Sequence, residues 1–301
     1  MKTTRSSLDA PRIAAHLILG PRSEPFLGAL LLSLEGSVQS IIVNDNSPDP
    51  SPHSDILQAS SFARRGAMAL DRTPFTTFAD ARNICLRIHA ETSAGDWAAF
   101  VDADEVHGTH VRRIASRLRS LPSSVGVVDA YTWHFFGSFD WYTSIERRMM
   151  FFRFSPQLYW ERPVHEQLRG VRGDRLVLPY VYAHYGHVFG PRRHAEKDIH
   201  YHSLGAENST VDADELDRLD IERYFREYFP RLLRFRGRHP LAAQPTIAEL
   251  RSQLQSIHVV AEEKARRQSA QIKLRNIVRS LNYAQRWRLR ALNPAVWRLL
   301  R

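Results

Sequence analysis

Five consecutive apolar residues, Trp97-Ala98-Ala99-Phe100-Val101, run without a break into Asp102-Ala103-Asp104-Glu105. A strand with no polar side to show to water must be covered on both faces, which is the habit of parallel sheets flanked by helices. The chain upstream supports that reading. Ile13 to Leu19 is a short apolar run closed by Gly20-Pro21, Glu24-Pro25 opens a helix-like stretch through Leu34, and Ser40 to Val43 is apolar again. Strand, helix, strand is the expected order. The second strand ends in Asn44-Asp45-Asn46-Ser47-Pro48-Asp49-Pro50, a dense turn signal that gathers polar side chains at its carboxyl end. Ligands of open α/β sheets bind at that edge.

Further along, Asp80 to Thr92 has helical spacing with Asp80 as the expected N-cap, and Val111 to Leu121 reads as a second amphipathic helix. Ser54 to Leu70 fits neither period cleanly. Val125 to Phe136, Arg148 to Phe154 and Leu176 to Tyr182 read as strands, the first two rich in aromatic residues. The expectation is an α/β domain with a mixed, mainly parallel sheet over residues 1–205, followed by a helical extension over 206–301. Helical patterns at 211–236 and 246–292 flank Arg238-His239-Pro240.

Charge is unevenly placed. The 301 residues carry 42 Lys and Arg against 32 Asp and Glu, a formal +10, yet residues 261–301 alone hold eleven basic residues against two Glu. The rest of the chain is nearly neutral. From Lys264 to Arg301 the basic residues alternate with Ile272, Ile277, Val278, Leu281, Trp287, Leu292, Trp297 and Leu299, the pattern of a basic amphipathic helix. Such a segment lies on an anionic membrane surface or packs on its own domain, and no nucleic-acid-binding motif accompanies it, so no nucleic acid is expected as partner. A single cysteine, Cys85, allows no internal disulfide. With no apolar run longer than Phe26 to Leu34 and no signal-peptide pattern, the expected setting is cytoplasmic, with membrane association at most peripheral.

Asp102 and Asp104 carry the clearest chemistry. Residues i and i+2 of an extended segment point the same way and can converge on one cation. Hard carboxylate oxygens at a strand end suit Mg²⁺ or Mn²⁺, which take one or two protein carboxylates and complete their shells with water and phosphate. Downstream, His184, His187, His194, His200 and His202 make a histidine-rich stretch. It lacks the cysteines or tight His/Cys spacing of structural zinc sites, so its functional reading is a single histidine, His184 or His187, completing the shell around that cation.

In order and spacing, Ile41-Ile42-Val43-Asn44-Asp45-Asn46-Ser47, Asp80-Ala81-Arg82-Asn83 and Gly95 to Glu105 resemble the successive signatures of family 2 glycosyltransferases of the GT-A fold. Glu146 to Arg153 and Arg162-Pro163-Val164-His165-Glu166 are similar to the acceptor-side strand and the Val-His-Glu element of many bacterial members. The resemblance spans residues 13–205. It implies a nucleotide-diphosphate-sugar donor along the carboxyl edge of the first strands, with inversion at the transferred sugar. Asp45 would contact base or ribose, Glu24 would border the same pocket, and Arg82, with Asp80 beside it, would reach base or diphosphate. Asp102 and Asp104, with His187, would serve ribose and the bridging metal. The acceptor hydroxyl needs a base, for which the resemblance offers Glu166 first. His165 stands open as base, metal ligand or structural hydrogen-bonder, and the familiar Glu-Asp pair of inverting members is absent. A glycan or lipid-linked acceptor in surface polysaccharide or lipopolysaccharide assembly goes with the bacterial look of the motifs.

Two other classes compete. Asp102-Ala103-Asp104-Glu105-Val106 also satisfies the haloacid-dehalogenase pattern, with Asp102 as nucleophile, although that motif belongs after a first strand and here follows two others. A non-catalytic membrane-surface adaptor would need only the basic tail.

Overall fold

The computed structural model describes residues 12–206, 226, 228–276 and 278. Strands β1 (Ile13–Leu19), β2 (Ser40–Asp45), β3 (Met68–Asp71) and β4 (Trp97–Val101) form a parallel block in the order β3-β2-β1-β4. Helices α1 (Leu27–Leu34) and α4 (Phe78–Thr92) lie against opposite faces of this block. Ile13, Ala15 and Leu17 share a core with Leu27, Leu30, Leu31 and Leu34 of α1. Ala14 and Ile42 pack instead with Cys85 and Ile88 of α4. Alternate residues of one strand thus enter different cores, which is why the central stretches of these strands are apolar on both faces apart from the buried His16.

The ambiguous stretch after β2 divides into α2 (Ser54–Ala59), α3 (Ser61–Arg64) and β3, each too short to display a period. At α4 the expected cap is corrected by one turn. Thr77 is the N-cap and its hydroxyl accepts from the Asp80 amide at 3.1 Å, while Asp80 accepts from the Thr76 and Thr77 hydroxyls at 2.7 Å. Asp80 is the acidic partner of a capping box, not the cap itself.

After β5 (Glu105–Val106) and α5 (His110–Arg117), three long strands complete the sheet: β6 (Val125–Phe136), β7 (Trp141–Arg153) and β10 (Asp174–His187). Between them β8 (Tyr159–Glu161) and β9 (Gln167–Arg169) form a separate antiparallel pair. Strand β7 runs antiparallel to both β4 and β6, whereas β10 is parallel to β6 and antiparallel to β5. The sheet is therefore mixed, as expected. Strands β7 and β10 extend beyond the apolar runs at 148–154 and 176–182, because their outer portions carry Ser144, Glu146, Arg147, His184 and His187, which break an apolar count without breaking the ladder.

Residues after 205 continue this structure. Leu233–Arg234 adds a strand, β11, to the edge of β7, and Ala243, Ile247 and Leu250 enter a core with Phe26, Phe135, Phe139 and Tyr185. The helix Gln255–Arg266 buries Ile257, Ala261 and Ala265 against Phe136, Phe229 and Leu232. Of the two readings of the tail, packing on the domain holds through Asn276, which is 4% exposed. Of the helical pattern expected at 211–236, the described part is a short 3₁₀ turn at Phe229–Arg231 followed by β11, since Pro230 interrupts the helical run. Of that at 246–292, helical segments are described through 276, and 211–225, 227, 277 and 279–301 lie outside the described residues. Among the described residues no helix is long and apolar enough to cross a membrane.

Buried histidines are unusually frequent in this core. His107 is 3% exposed, its ring lies tilted 4.4 Å from that of Tyr182, and neither ring nitrogen has a hydrogen-bond partner. Burial alone pushes this imidazole down to about 3. Below pH 6.5 the unfolded chain binds a proton at His107 that the folded chain refuses, so stability falls with acid by about 1.4 kcal/mol per pH unit until the folded value is reached. We expect His107→Phe to remove this component. Denaturant midpoints measured from pH 7 down to pH 4 should converge with, then exceed, those of the parent chain.

Candidate active site

The end of β4 places Asp102 between two arginines. Its Oδ1 lies 2.5 Å from Nη2 of Arg82 and its Oδ2 lies 2.7 Å from Nη2 of Arg148. Arg82 comes from the first turns of α4, 2% exposed, with its guanidinium 4.1 Å over the Phe100 ring and Nη1 donating to the Val101 carbonyl at 3.2 Å. Its Nε reaches Glu166 at 3.3 Å, while Arg148 from β7 also meets the fully buried Glu105 at 3.2 Å. Burial works against ionising Asp102, but Arg148 and Arg82 outweigh it and hold the carboxyl well below its usual range. Glu105 goes the other way. Burial raises it to about 8, with Arg148 opposing and the charges of Asp102 and Asp104 adding to the rise.

Asp104 faces a different neighbourhood. Its Oδ1 is buried without a hydrogen bond and lies 3.4 Å from Nε2 of His184. A Cβ on Gly186 would stand 2.2 Å from Asp104 Oδ2, so glycine is required there for the carboxylate to fit. Strand β10 is irregular at this point. His184 is paired with His134 of β6, yet His187 is paired with Phe136, so three residues on β10 oppose two on β6. Residues three apart on a regular strand face opposite ways, and this one-residue bulge brings His184 and His187 to the same side. His134 joins them there, and one ring nitrogen from each of the three lies within 4.8 Å of the others. Burial pushes His134 down to about 4 and His184 and His187 well below 6.5, so all three are neutral near pH 7.

The other expected residues divide between this face and elsewhere. Glu24, in the loop after β1, accepts from Arg193 of α6 (Pro191–Ser203) at 2.6 Å, and burial raises it to about 7 despite Arg193, helped by the Asp104 charge. The neighbouring Lys197 of α6 has a buried ammonium that stays protonated because Tyr201, Asp104 and Asp102 outweigh desolvation. Glu166 meets Arg82 as noted, and His165 beside it sits in the left-handed region at φ 54°, its ring 6.0 Å from that of Tyr201. A non-glycine residue held there marks a loop over-determined by its surroundings. Asp45, in contrast, is fully buried, accepting from Ser51 Oγ at 2.5 Å and from the Ser47 amide at 3.1 Å. It braces the turn after β2, and its contact with a ligand would need that turn to open. Asp80 is likewise committed to its cap.

Sequence reading missed Arg148, Glu105, His134, Lys197 and Arg193 as members of this face. Arg148 stood within the acceptor-strand motif, and Lys197 one helical turn after Arg193, which was the available signal. The aromatic group at 133–142 belongs to the core, with Phe135, Phe136, Phe139 and Tyr142 all buried. A cavity of about 330 Å³ lined by Arg226, Phe229, Lys264, Arg267 and Ile272 shares no residue with the face described.

No family model and no curated protein matches the chain. Among solved structures, S. aureus TarS 1–349 is similar over 91% of both chains at 12% identity and a TM-score of 0.38. Glucosyl-3-phosphoglycerate synthase from Mycobacterium tuberculosis, in complex with Mn²⁺, uridine diphosphate and phosphoglyceric acid, overlaps 40% of this chain and 43% of its own at 19% identity and a TM-score of 0.28.

The geometry of this face makes Arg148 the counter-charge for two carboxylates. Removing one partner of a buried ion pair costs about 3–5 kcal/mol, because the other charge remains desolvated. Arg148→Met should therefore lower unfolding free energy by about 3 kcal/mol in urea titrations, while Arg148→Lys recovers part of it.

Proposed function

We propose that this chain is a glycosyltransferase of the GT-A type, transferring a sugar from a nucleotide-diphosphate donor to a hydroxyl acceptor. The observation that carries the reading is the convergence of Asp104, His184 and His187 beside Arg148, Arg193 and Lys197 at the sheet's carboxyl edge, just beyond Asp102. Asp104 Oδ1 is buried without a hydrogen bond, and His184, whose Nε2 lies 3.4 Å from it, has its other ring nitrogen, Nδ1, buried without one as well; such a donor set is short of a cation.

In this reading Asp104 and His187, with His184, hold Mg²⁺ or Mn²⁺, and Asp102 keeps Arg82 and Arg148 aimed at the donor. The cation would supply charge neutralisation for the departing diphosphate. Arg148, Lys197 and Arg193 add fixed positive charge on the same side, already oriented and partly desolvated, where such charge is most effective. Glu24 borders the pocket from the β1 loop and Arg82 frames the nucleotide end, with Asp45 and Asp80 bracing the β2 turn and the start of α4 behind it. Glu166 takes the proton from the acceptor hydroxyl as the acceptor oxygen bonds the anomeric carbon and the bond to phosphate breaks. A single displacement of this kind inverts the anomeric configuration. His165 positions the Val-His-Glu loop against Tyr201.

The acceptor we assign is a glycan or lipid-linked one in surface polysaccharide or lipopolysaccharide assembly, met at the cytoplasmic face of an anionic membrane through the basic segment 264–301. Against a phosphohydrolase stands the pairing of both Asp102 oxygens with arginines, which ties the would-be nucleophile into an ion-paired, less nucleophilic state.

The test is the thermal midpoint of the chain with Mn²⁺ or Mg²⁺ and a panel of nucleoside diphosphates. One diphosphate should raise the midpoint in a cation-dependent way, by the equivalent of about 2.7 kcal/mol at a hundredfold excess over Kd. Asp104→Asn should abolish the rise. No response to any diphosphate, with release of phosphate from a simple ester, would overturn the transferase reading.

A further inference from the structure

The geometry points to His134, His184 and His187 forming a three-imidazole site for a borderline transition-metal ion such as Zn²⁺ or Co²⁺, in preference to Mg²⁺. The inference builds on the cation site of the proposed function but changes its chemistry, and it is tested with the ion alone. Hard ions choose oxygen, whereas imidazole suits zinc, copper, nickel and cobalt, so three ligating histidines alter which metal the face retains.

Several observations support the site. The three side chains come from two neighbouring strands whose register pairs His134 directly with His184, and the bulge after His184 turns His187 toward them. Ring centroids lie 4.5 Å apart for His134 and His184, 5.3 Å for His184 and His187, and 6.0 Å for His134 and His187. Around an ion at about 2.1 Å, tetrahedral nitrogens stand about 3.4 Å apart, so the 4.8 Å limit found here closes by modest ring rotation.

Each imidazole also has one nitrogen engaged. His134 Nε2 is 2.8 Å from Thr132 Oγ1 and 3.4 Å from Glu146, His184 Nε2 is 3.4 Å from Asp104, and His187 Nδ1 is 3.4 Å from His194 Nδ1. Partners of this kind orient metal-binding rings from behind. The remaining nitrogen of His184, Nδ1, is buried with no hydrogen-bond partner. No other feature described for this strand pair explains why three neutral imidazoles should be packed together there.

Two neighbours oppose the ion. Arg148 and the Lys197 ammonium both act on all three histidines, with Asp102 and Asp104 partly offsetting them. That opposition sharpens the test, because Lys197→Met should tighten the ion by ~tenfold, as expected for removing a like charge at short range.

The experiment titrates the full chain, stripped with chelator, with Co²⁺ by visible absorption and with Zn²⁺ by calorimetry, and counts imidazoles on the Zn²⁺-loaded chain by X-ray absorption. We expect one ion per chain, three imidazoles in its shell and no displacement by a large excess of Mg²⁺. His134→Gln and His187→Gln should each weaken the ion by roughly 10–100-fold. A shell with at most one imidazole, or equal competition by Mg²⁺, would overturn the inference, and the wild-type spectrum decides this even if a variant misfolds. If Co²⁺ binds through three histidines while no diphosphate shifts the midpoint, the donor reading fails and the metal site stands; the opposite pair of results separates them the other way.

Discussion

Two guanidiniums held on one half-buried carboxylate organise this end of the molecule. Asp102 stands where the central strand leaves the sheet, and Arg82 and Arg148 reach it from a helix on one face and from the antiparallel strand alongside. Burying such charges is costly, and the attraction repays the cost only when every oxygen and every fork of the guanidinium is used. Here the forks extend further, Arg82 to Glu166 and Arg148 to Glu105, so a cap, a strand edge and a distant loop share one electrostatic knot. The knot leaves Asp104 outside it. Two aspartates separated by a single alanine thereby acquire opposite surroundings, one saturated with arginine and one turned toward histidine.

That division gives the face its polarity. Positive groups from α4, β7 and α6 gather along one side, and neutral imidazoles from β6 and β10 along the other, with Asp104 between them. An anionic ligand would find charge already in place, without paying to reorient water or mobile side chains. The left-handed His165 and the glycine-dependent fit of Asp104 are local strains tolerated where the surroundings leave no alternative.

Much of the fold was legible because burial on both faces leaves an unmistakable trace. The apolar runs at 13–19, 40–43 and 97–101 each became a strand, and the Asp102 to Glu105 segment that ends the last of them lies at the charged face. Asp102, Asp104, Arg82 and Glu166 were likewise readable, since each follows directly on a strand, a helix start or a short motif. His134 was not. Fifty residues separate it from His184, and only the parallel register of β6 and β10 makes them neighbours. The bulge at Gly186 is equally silent in sequence, because a glycine inside a strand signals an irregularity without saying which side chains it re-aims. Asp45 and Asp80 failed to face the open edge for a simpler reason: nearby serine and threonine hydroxyls satisfy their oxygens first.

Tyr185 ties this face to a part of the chain that looked detachable. It lies between His184 and Gly186, stacks on Phe26 at 4.3 Å and on Phe135 at 5.1 Å, and its hydroxyl meets His239 Nδ1 at 2.8 Å. The same core contains Ala243, Ile247 and Leu250. The irregular turn of β10 is thus clamped from behind by residues more than fifty positions downstream. A protein trimmed after α6 would keep every charged and histidine side chain of the face yet lose the wedge that sets their spacing, so the helical extension is scaffolding for the chemistry and not merely its tether.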